Sequence, residues 1–180
     1  MHLSRLLSHI ALMLVISQLC ACSIAYGIYD DKRLIDTMAN DKKIAADVKT
    51  TLMGDSMSEG WAISVFCYYG KVFLAGEVPP DMRSKALAMA SKCKGVVSVT
   101  PHWFTARTGE NSDIAIATKV RTTLITTEGL SSTRIDTTVN ANRVALFGVV
   151  NDERERALAI KAARLTDGVK EVSDYLMLPQ

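Results

Sequence analysis

Histidine is scarce in this chain: there are three in 180 residues, and only His102 lies beyond residue 9. Of the four cysteines, two sit at positions 20 and 22, so no Cys/His cluster has the spacing of a metal site. None of the ten glycines opens a loop closing on Lys-Ser or Lys-Thr, which excludes the usual phosphate cradle. Basic side chains exceed acidic ones only by 21 to 19. That excess is too small for a general nucleic-acid binder, whose affinity is built from many phosphate contacts. The longest uninterrupted apolar run, Ile10 to Ile16, falls short of the about 20 residues a membrane span requires. Asp152, Glu153 and Glu155 form an acidic group at a helix start, which reads as dipole compensation rather than acid–base chemistry. His102, between Pro101 and Trp103, reads as structural. The expectation is a chain that is not an enzyme and carries no cofactor.

What is present begins with a leader. Arg5 and His9 precede the apolar run, and Leu19-Cys20-Ala21-Cys22 follows it, the layout of a secretory signal. These four residues resemble the lipobox of bacterial lipoproteins, with small Ala21 before the cut and a thiol, Cys22, to receive the acyl groups. The resemblance implies a signal peptide at 1–21 and lipidation of Cys22 with fatty chains such as palmitate. Several chains on one residue anchor firmly where one alone is marginal. Ser23, rather than Asp, after the acylated residue implies sorting to the outer membrane, with the chain facing the periplasm. The alternative is an uncleaved anchor helix. Residues 22–40 show no sustained period and read as a tether, able to reach roughly 60 Å when extended.

The remainder states one pattern twice. Asp41, Ile44, Val48 and Leu52 return as Asp113, Ile116, Val120 and Leu124. At the same offset Val72, Leu74, Gly76 and Val78 return as Val144, Leu146, Gly148 and Val150, and Gly95-Val96 returns one residue later as Gly168-Val169. A repeat of this length is a small domain rather than a solenoid unit. In each copy an acidic residue reads as the N-cap of an amphipathic helix with apolar side chains at i, i+4 and i+8. Two alternating segments around a turn follow, Ile63–Cys67 with Val72–Val78 and Ile135–Val139 with Val144–Val150, and read as a hairpin. Gly76 and Gly148 mark close approach of another element, expected to be the second helix. That helix carries Ala86 and Ala90, or Ala159 and Ala163, on one face; Gly95 and Gly168 stop it, and a last strand ends each copy. The fold class is α+β: two tandem αββαβ modules, each a small mixed sheet with two helices on one face and a largely polar opposite face. Module 1 spans 41–104, a polar linker 105–112, and module 2 113–178. Cys67 and Cys93 are a possible disulfide or two free thiols.

With 116, 120 and 124 turned inward, Ile114, Thr118, Arg121 and Ile125 align along one flank of module 2's first helix, with Lys119 and Thr122 on its outward side. Apolar side chains beside cations suit an anionic membrane interface. The alternative is that Ile114 and Ile125 pack against module 1 or the linker. The module 1 flank, Lys42, Ala46, Lys49 and Met53, is less apolar.

Tyr69-Gly-Lys-Val-Phe-Leu-Ala-Gly76, Thr118-Lys-Val-Arg121 and Phe147-Gly-Val-Val-Asn-Asp-Glu-Arg-Glu155 resemble the BON domain. A lipobox ahead of two copies is similar to the dual-BON outer-membrane lipoproteins of the DolP (YraP) type. The resemblance covers 41–178. It implies binding of anionic phospholipids such as phosphatidylglycerol and cardiolipin through the first helix of the second module, and a role in envelope integrity, including at cell division sites. This chain departs from that pattern at Ala115, where the family carries a tryptophan suited to the membrane interface. The competing reading is a module that docks a periplasmic or envelope-assembly protein.

Overall fold

The computed structural model describes Arg33, residues 35–105 and residues 113–180. The signal peptide at 1–21, Cys22, the tether up to residue 32 and linker residues 106–112 lie outside the described residues. From Arg33 onward the chain forms one compact unit.

The first helix, α1 (Ile35–Asp55), begins inside the segment read as a tether, so Asp41 is not its N-cap. The Asp41 side chain is buried and accepts from the backbone N–H groups of Tyr69 (2.9 Å) and Gly70 (2.8 Å). Both residues have positive φ, and the carboxylate, an acceptor only when ionised, satisfies the donors of that strained turn. Arg33 closes the arrangement with a 2.7 Å ion pair to Asp41 and lies over the rings of Tyr68 and Tyr69. The counterpart Asp113 lies in the first turn of its helix and accepts from Ala141 N–H at 2.8 Å, a turn contact like that of Asp41.

A short helix, α2 (Met57–Ala62), leads into β1 (Ile63–Tyr68), β2 (Lys71–Gly76), α3 (Pro80–Ala90) and β3 (Ser98–Trp103). Module 2 repeats the order as α4 (Asp113–Thr126), a 3-10 turn (Ser132–Arg134), β4 (Ile135–Asn140), β5 (Arg143–Val149), α5 (Glu153–Leu165) and β6 (Glu171–Met177). Each sheet is mixed: β2 pairs antiparallel with β1 and parallel with β3, and β5 likewise with β4 and β6. The helices cover one face of each sheet. Val48, Leu52, Ala86 and Ala90 meet Val72 and Leu74 in one core, and Val120, Leu124, Ala159 and Ala163 meet Val144 and Leu146 in the other. The alanines, all fully buried, let the second helix lie close to the first.

Gly76 and Gly148 do mark a close approach, but not by the second helix. A Cβ on Gly148 would meet the carbonyl oxygen of Arg134 at 2.2 Å, and one on Gly76 that of Ala62 at 2.5 Å. The crowding comes from the chain entering the neighbouring edge strand.

The opposite faces of the sheets are not polar. Phe66, Tyr68, Phe73, Phe104, Phe147 and Tyr175 form a third apolar cluster in which the two modules pack sheet to sheet. Phe147, fully buried, stacks on Phe66 at 4.7 Å and on Tyr175 at 5.1 Å between centroids and tilts against Phe73 at 5.7 Å. The repeat makes this fit possible because it is unequal: Phe73 corresponds to Ala145, and Phe147 to Ala75, so each module brings one ring and one small side chain to the cluster. Polar contacts frame the cluster: Tyr68 donates to Asp136, Asn140 to Glu77, and Arg143 to Thr105. The layers therefore run helices, sheet, sheet, helices.

Cys67 and Cys93 are free thiols, which corrects the possible disulfide. Cys67 is buried and points at the Asp41 carboxylate (3.5 Å), while Cys93 neighbours Thr51 and the carbonyl of Met89. Burial, reinforced by the adjacent Asp41 charge, pushes the Cys67 thiol up to about 12.

Three outcomes follow from this packing. Phe147→Ala should cost about 3–5 kcal/mol, read as a lowered urea midpoint, and should split one unfolding transition into two. In the folded chain from Ser23 onward an alkylating reagent at neutral pH should modify Cys93 and spare Cys67 until denaturant is added. His102 is half-buried, contacts the Tyr175 hydroxyl at 2.9 Å and packs edge-on against Phe104. Burial holds its pKa below the ordinary value, with Glu171 opposing and Arg143 adding to the shift. The unfolded chain thus takes up this proton first, so the contribution is complete above about pH 6.5 and declines as pH falls towards the folded value. His102→Gln should flatten that acid-side decline in thermal midpoint.

Candidate functional site

The outward flank of α4 leaves apolar surface uncovered. Ile114 is 78% exposed and Ile125 58% exposed, so among the described residues nothing packs over them. Their exposure follows from the helix period: Ile116, Val120 and Leu124 occupy the buried stripe, and 114 and 125 lie off it.

Between α4 and edge strand β4 runs a shallow groove of about 430 Å³ lined by Ile114, Ala117, Thr118, Arg121, Thr122 and Thr137. The Thr118 hydroxyl donates to the Ile114 carbonyl at 2.8 Å, so it is satisfied within its own helix and leaves the groove largely apolar. Thr137 lines the groove because β4 has no strand beyond it.

Arg121 has two tasks. Its Nη1 donates to the carbonyls of Ser132 and Ile135, both at 2.9 Å, and so fixes the chain entering β4. Among the described residues its Nε and Nη2 have no protein acceptor, which leaves part of a forked donor set beside the groove. Lys119 faces elsewhere: its ammonium pairs with Asp167 at 2.6 Å, and that bond lowers the pKa of the exposed Asp167.

Of the six flank residues read from sequence, the structure brings Ile114, Thr118, Arg121 and Thr122 together on the groove. Ile125 lies further along the same helix, outside the groove lining, and Lys119 is engaged with the turn after α5. Ala117 and Thr137 were not anticipated. Ala117, three residues after Ile114, lay within reach of the helical spacing, whereas Thr137 could be placed only once its strand was known to be an edge. Ala115 is exposed on the same helix and supplies no aromatic ring.

The same flank of module 1 is built differently. Lys49, the counterpart of Arg121, donates to the carbonyls of Gly60 (2.8 Å), Trp61 (2.9 Å) and Ile63 (2.6 Å). Its ammonium lies 5.5 Å from the Trp61 ring centroid. Burial lowers the Lys49 pKa. Helix α2, which has only a 3-10 turn as its counterpart, therefore places Trp61 beside this cation.

The acids at the start of α5 do more than offset the helix dipole. Asp152 caps the helix through the Glu155 N–H, and buried Glu155 pairs with buried Arg134 at 2.8 Å while accepting from Ser131 and Asn151. No group of three or more His, Cys, Asp or Glu among the described residues is placed to hold a metal ion, and no described helix is long and apolar enough to cross a membrane.

Among solved structures, this chain is similar to the C-terminal domain of CdsD, the structural protein of the type III secretion system of Chlamydia trachomatis. Identity is 11%, the TM-score 0.31, and coverage 78% of this chain and 67% of that one. A second CdsD structure from the same organism gives 12% identity, a TM-score of 0.31, and coverage of 77% and 63%. This chain thus spans about two thirds of the length of those it resembles. The BON domain matches twice, over residues 40–102 and 112–178, one match on each αββαβ module. The chain belongs to the BON domain family.

Proposed function

We propose that this protein is a non-catalytic, lipid-anchored outer-membrane lipoprotein of the DolP (YraP) type, facing the periplasm, whose second BON domain docks on anionic phospholipid. BON domains bind phospholipids or mediate protein interactions. The observation that favours lipid here is the exposed pair Ile114 and Ile125 on one helix, with Arg121 between them in sequence and the groove beside Ile114. Isoleucines can enter between headgroups while the guanidinium meets phosphate. Phosphatidylglycerol and cardiolipin supply that phosphate in anionic form. Without a tryptophan at Ala115 the insertion rests on the isoleucines. An acylated Cys22 keeps the domain near the bilayer, so the helix requires only modest affinity to engage it. In the cell the proposed role is support of envelope integrity, including at division sites.

The test is co-sedimentation of Ser23–Gln180, which retains the whole compact unit Arg33–Gln180, with vesicles of neutral lipid or of lipid containing phosphatidylglycerol. Binding should require the anionic lipid and weaken as salt screens it. Ile114→Asp with Ile125→Asp should lower affinity at least about tenfold, since half-burial of two isoleucines is worth ~1.5–3 kcal/mol. Unchanged binding by that folded double variant would remove α4 from the lipid contact. Capture of an envelope protein through α4, insensitive to headgroup exchange, would favour the docking function instead.

A further inference from the structure

A second uncovered surface lies on module 1, at the end where the tether arrives. Arg33 is fixed there by its 2.7 Å pair with Asp41 and by the rings of Tyr68 and Tyr69. Around the Tyr69–Gly70 turn the chain places Lys42, Lys43, Lys71, Lys92 and Lys94. The placement is set by contacts. Asp41, beside Lys42, accepts from the turn itself. The Val97 N–H donates to the Gly70 carbonyl at 2.8 Å, which brings the 92–97 segment against the turn, and Lys71 follows Gly70. Gly95, between Lys94 and Val97, packs on Ile44 of α1.

Among the described residues only Lys43 of these five has an acidic partner, Asp47 at 2.6 Å. Asp36 lies five residues before Asp41 on the same helix, Asp41 is consumed by Arg33 and the turn, and from module 2 the exposed Asp136 accepts from Tyr68 while the Gln180 N–H donates to the Tyr69 hydroxyl. Two large apolar side chains stand among the lysines: Val97, 72% exposed, and Ile35, 65% exposed. The other end of module 1 has the opposite balance, with Asp55, Glu59, Glu77 and Asp81 near Lys85 and Arg83. Trp61 stands at that second end, because it lies two residues before the start of β1, whereas Tyr69 follows its finish.

We propose that this lysine-rich end of module 1 is a second membrane contact, in which Lys42, Lys71, Lys92 and Lys94 meet anionic headgroups and Val97 and Ile35 enter between them. It is a different surface from the α4 groove and shares with the preceding reading only the acylation of Cys22. Two observations select an anionic lipid surface as the occupant. The first is charge: unpaired lysines beside isolated exposed apolar side chains make the pattern of interfacial binding. The second is reach. From Cys22 to the fixed Arg33 the chain can extend at most about 40 Å, well short of the reach of a tether running to residue 40. Arg33 is thereby held within about 40 Å of the bilayer, and it lies on the cationic end. The charge asymmetry of module 1 turns the same end towards the surface and Trp61 away from it.

Two charge-reversed forms of Ser23–Gln180 and one uncharged substitution separate the two surfaces when bound to vesicles containing phosphatidylglycerol. Each basic residue near such a surface contributes about fivefold to partitioning, so Lys92→Glu with Lys94→Glu should weaken binding about 25-fold or more. Arg154→Glu with Lys161→Glu, the same charge change on α5, should lower it only a fewfold. Val97→Ser, which leaves the charge unchanged, should lower it severalfold. If the Lys92/Lys94 variant binds like the native chain, or no worse than the α5 variant, the proposal is overturned. If it loses binding while Ile114→Asp with Ile125→Asp does not, the module 1 contact stands and the α4 reading fails; the reverse result keeps α4 and removes module 1. Absence of native binding to any vesicle overturns both. Circular dichroism of each variant confirms that the fold is retained.

Discussion

The stacking of Phe147 between Phe66 and Tyr175 is the contact on which the rest of this structure depends. A three-stranded sheet with two helices has only one covered face, and a module of this size buries too little apolar surface to leave a second apolar face in water. Here the second faces cover one another. This turns two small domains into one body with a helix layer on each outer side, and it decides what remains for function. The aromatic surfaces are consumed, so any partner must meet the helices, the edge strands or the turns. The contact also depends on unequal copies, since Phe147 fills the place opposite Phe73 only because Ala75 and Ala145 yield space. At the cluster's margin His102 and Tyr175, which occupy the same position of the repeat, meet each other.

Much of this was legible in the sequence. The 3.6-residue stripe of Ile116, Val120 and Leu124, the alternation through the hairpins and the small faces of the second helices led to αββαβ directly. The error about the sheets' outer faces has an identifiable source. Val72-Phe73-Leu74-Ala75 and Val144-Ala145-Leu146-Phe147 are continuous apolar runs, the mark of strands covered on both sides. Alternation alone registers the inward members, while the intervening Phe73, Ala75, Ala145 and Phe147 belong to the cluster between the modules. Asp41 misled for another reason. An acid before an apolar stripe is the ordinary signature of an N-cap, but here it neutralises the donors of a distant turn, and long-range pairing of that kind leaves no local trace. Gly76 and Gly148 were correctly read as tight spots, with the wrong neighbour.

The candidate site was less legible than the fold. Helical spacing identified the exposed flank of α4, because that depends only on which residues the core takes. It could not show that Arg121 is half committed to the carbonyls of Ser132 and Ile135, or that Lys119 is drawn to Asp167, because those partners come from other elements. Nor could it show that β4 is an edge, which is what makes Thr137 part of the groove.

Comparison of the two modules shows where function can reside. Positions that must hold the fold keep their chemistry in both copies: an acid at 41 and 113 on the turn, a cation at 49 and 121 on the carbonyls leading into the edge strand, a glycine at 76 and 148 against the carbonyl of the residue just before that strand, Ala62 or Arg134. Positions free of that duty have diverged. Lys42 corresponds to Ile114, Met53 to Ile125, and Trp61 on α2 to Thr133 in a 3-10 turn. The same scaffold thus presents a cationic turn in one copy and an apolar groove in the other. Neither surface would need to be strong, because an acyl anchor at Cys22 would already hold the body at the bilayer, and weak contacts on one rigid body reinforce one another. What the repeat shares builds the protein, and what it does not share sets the surfaces of the two modules apart.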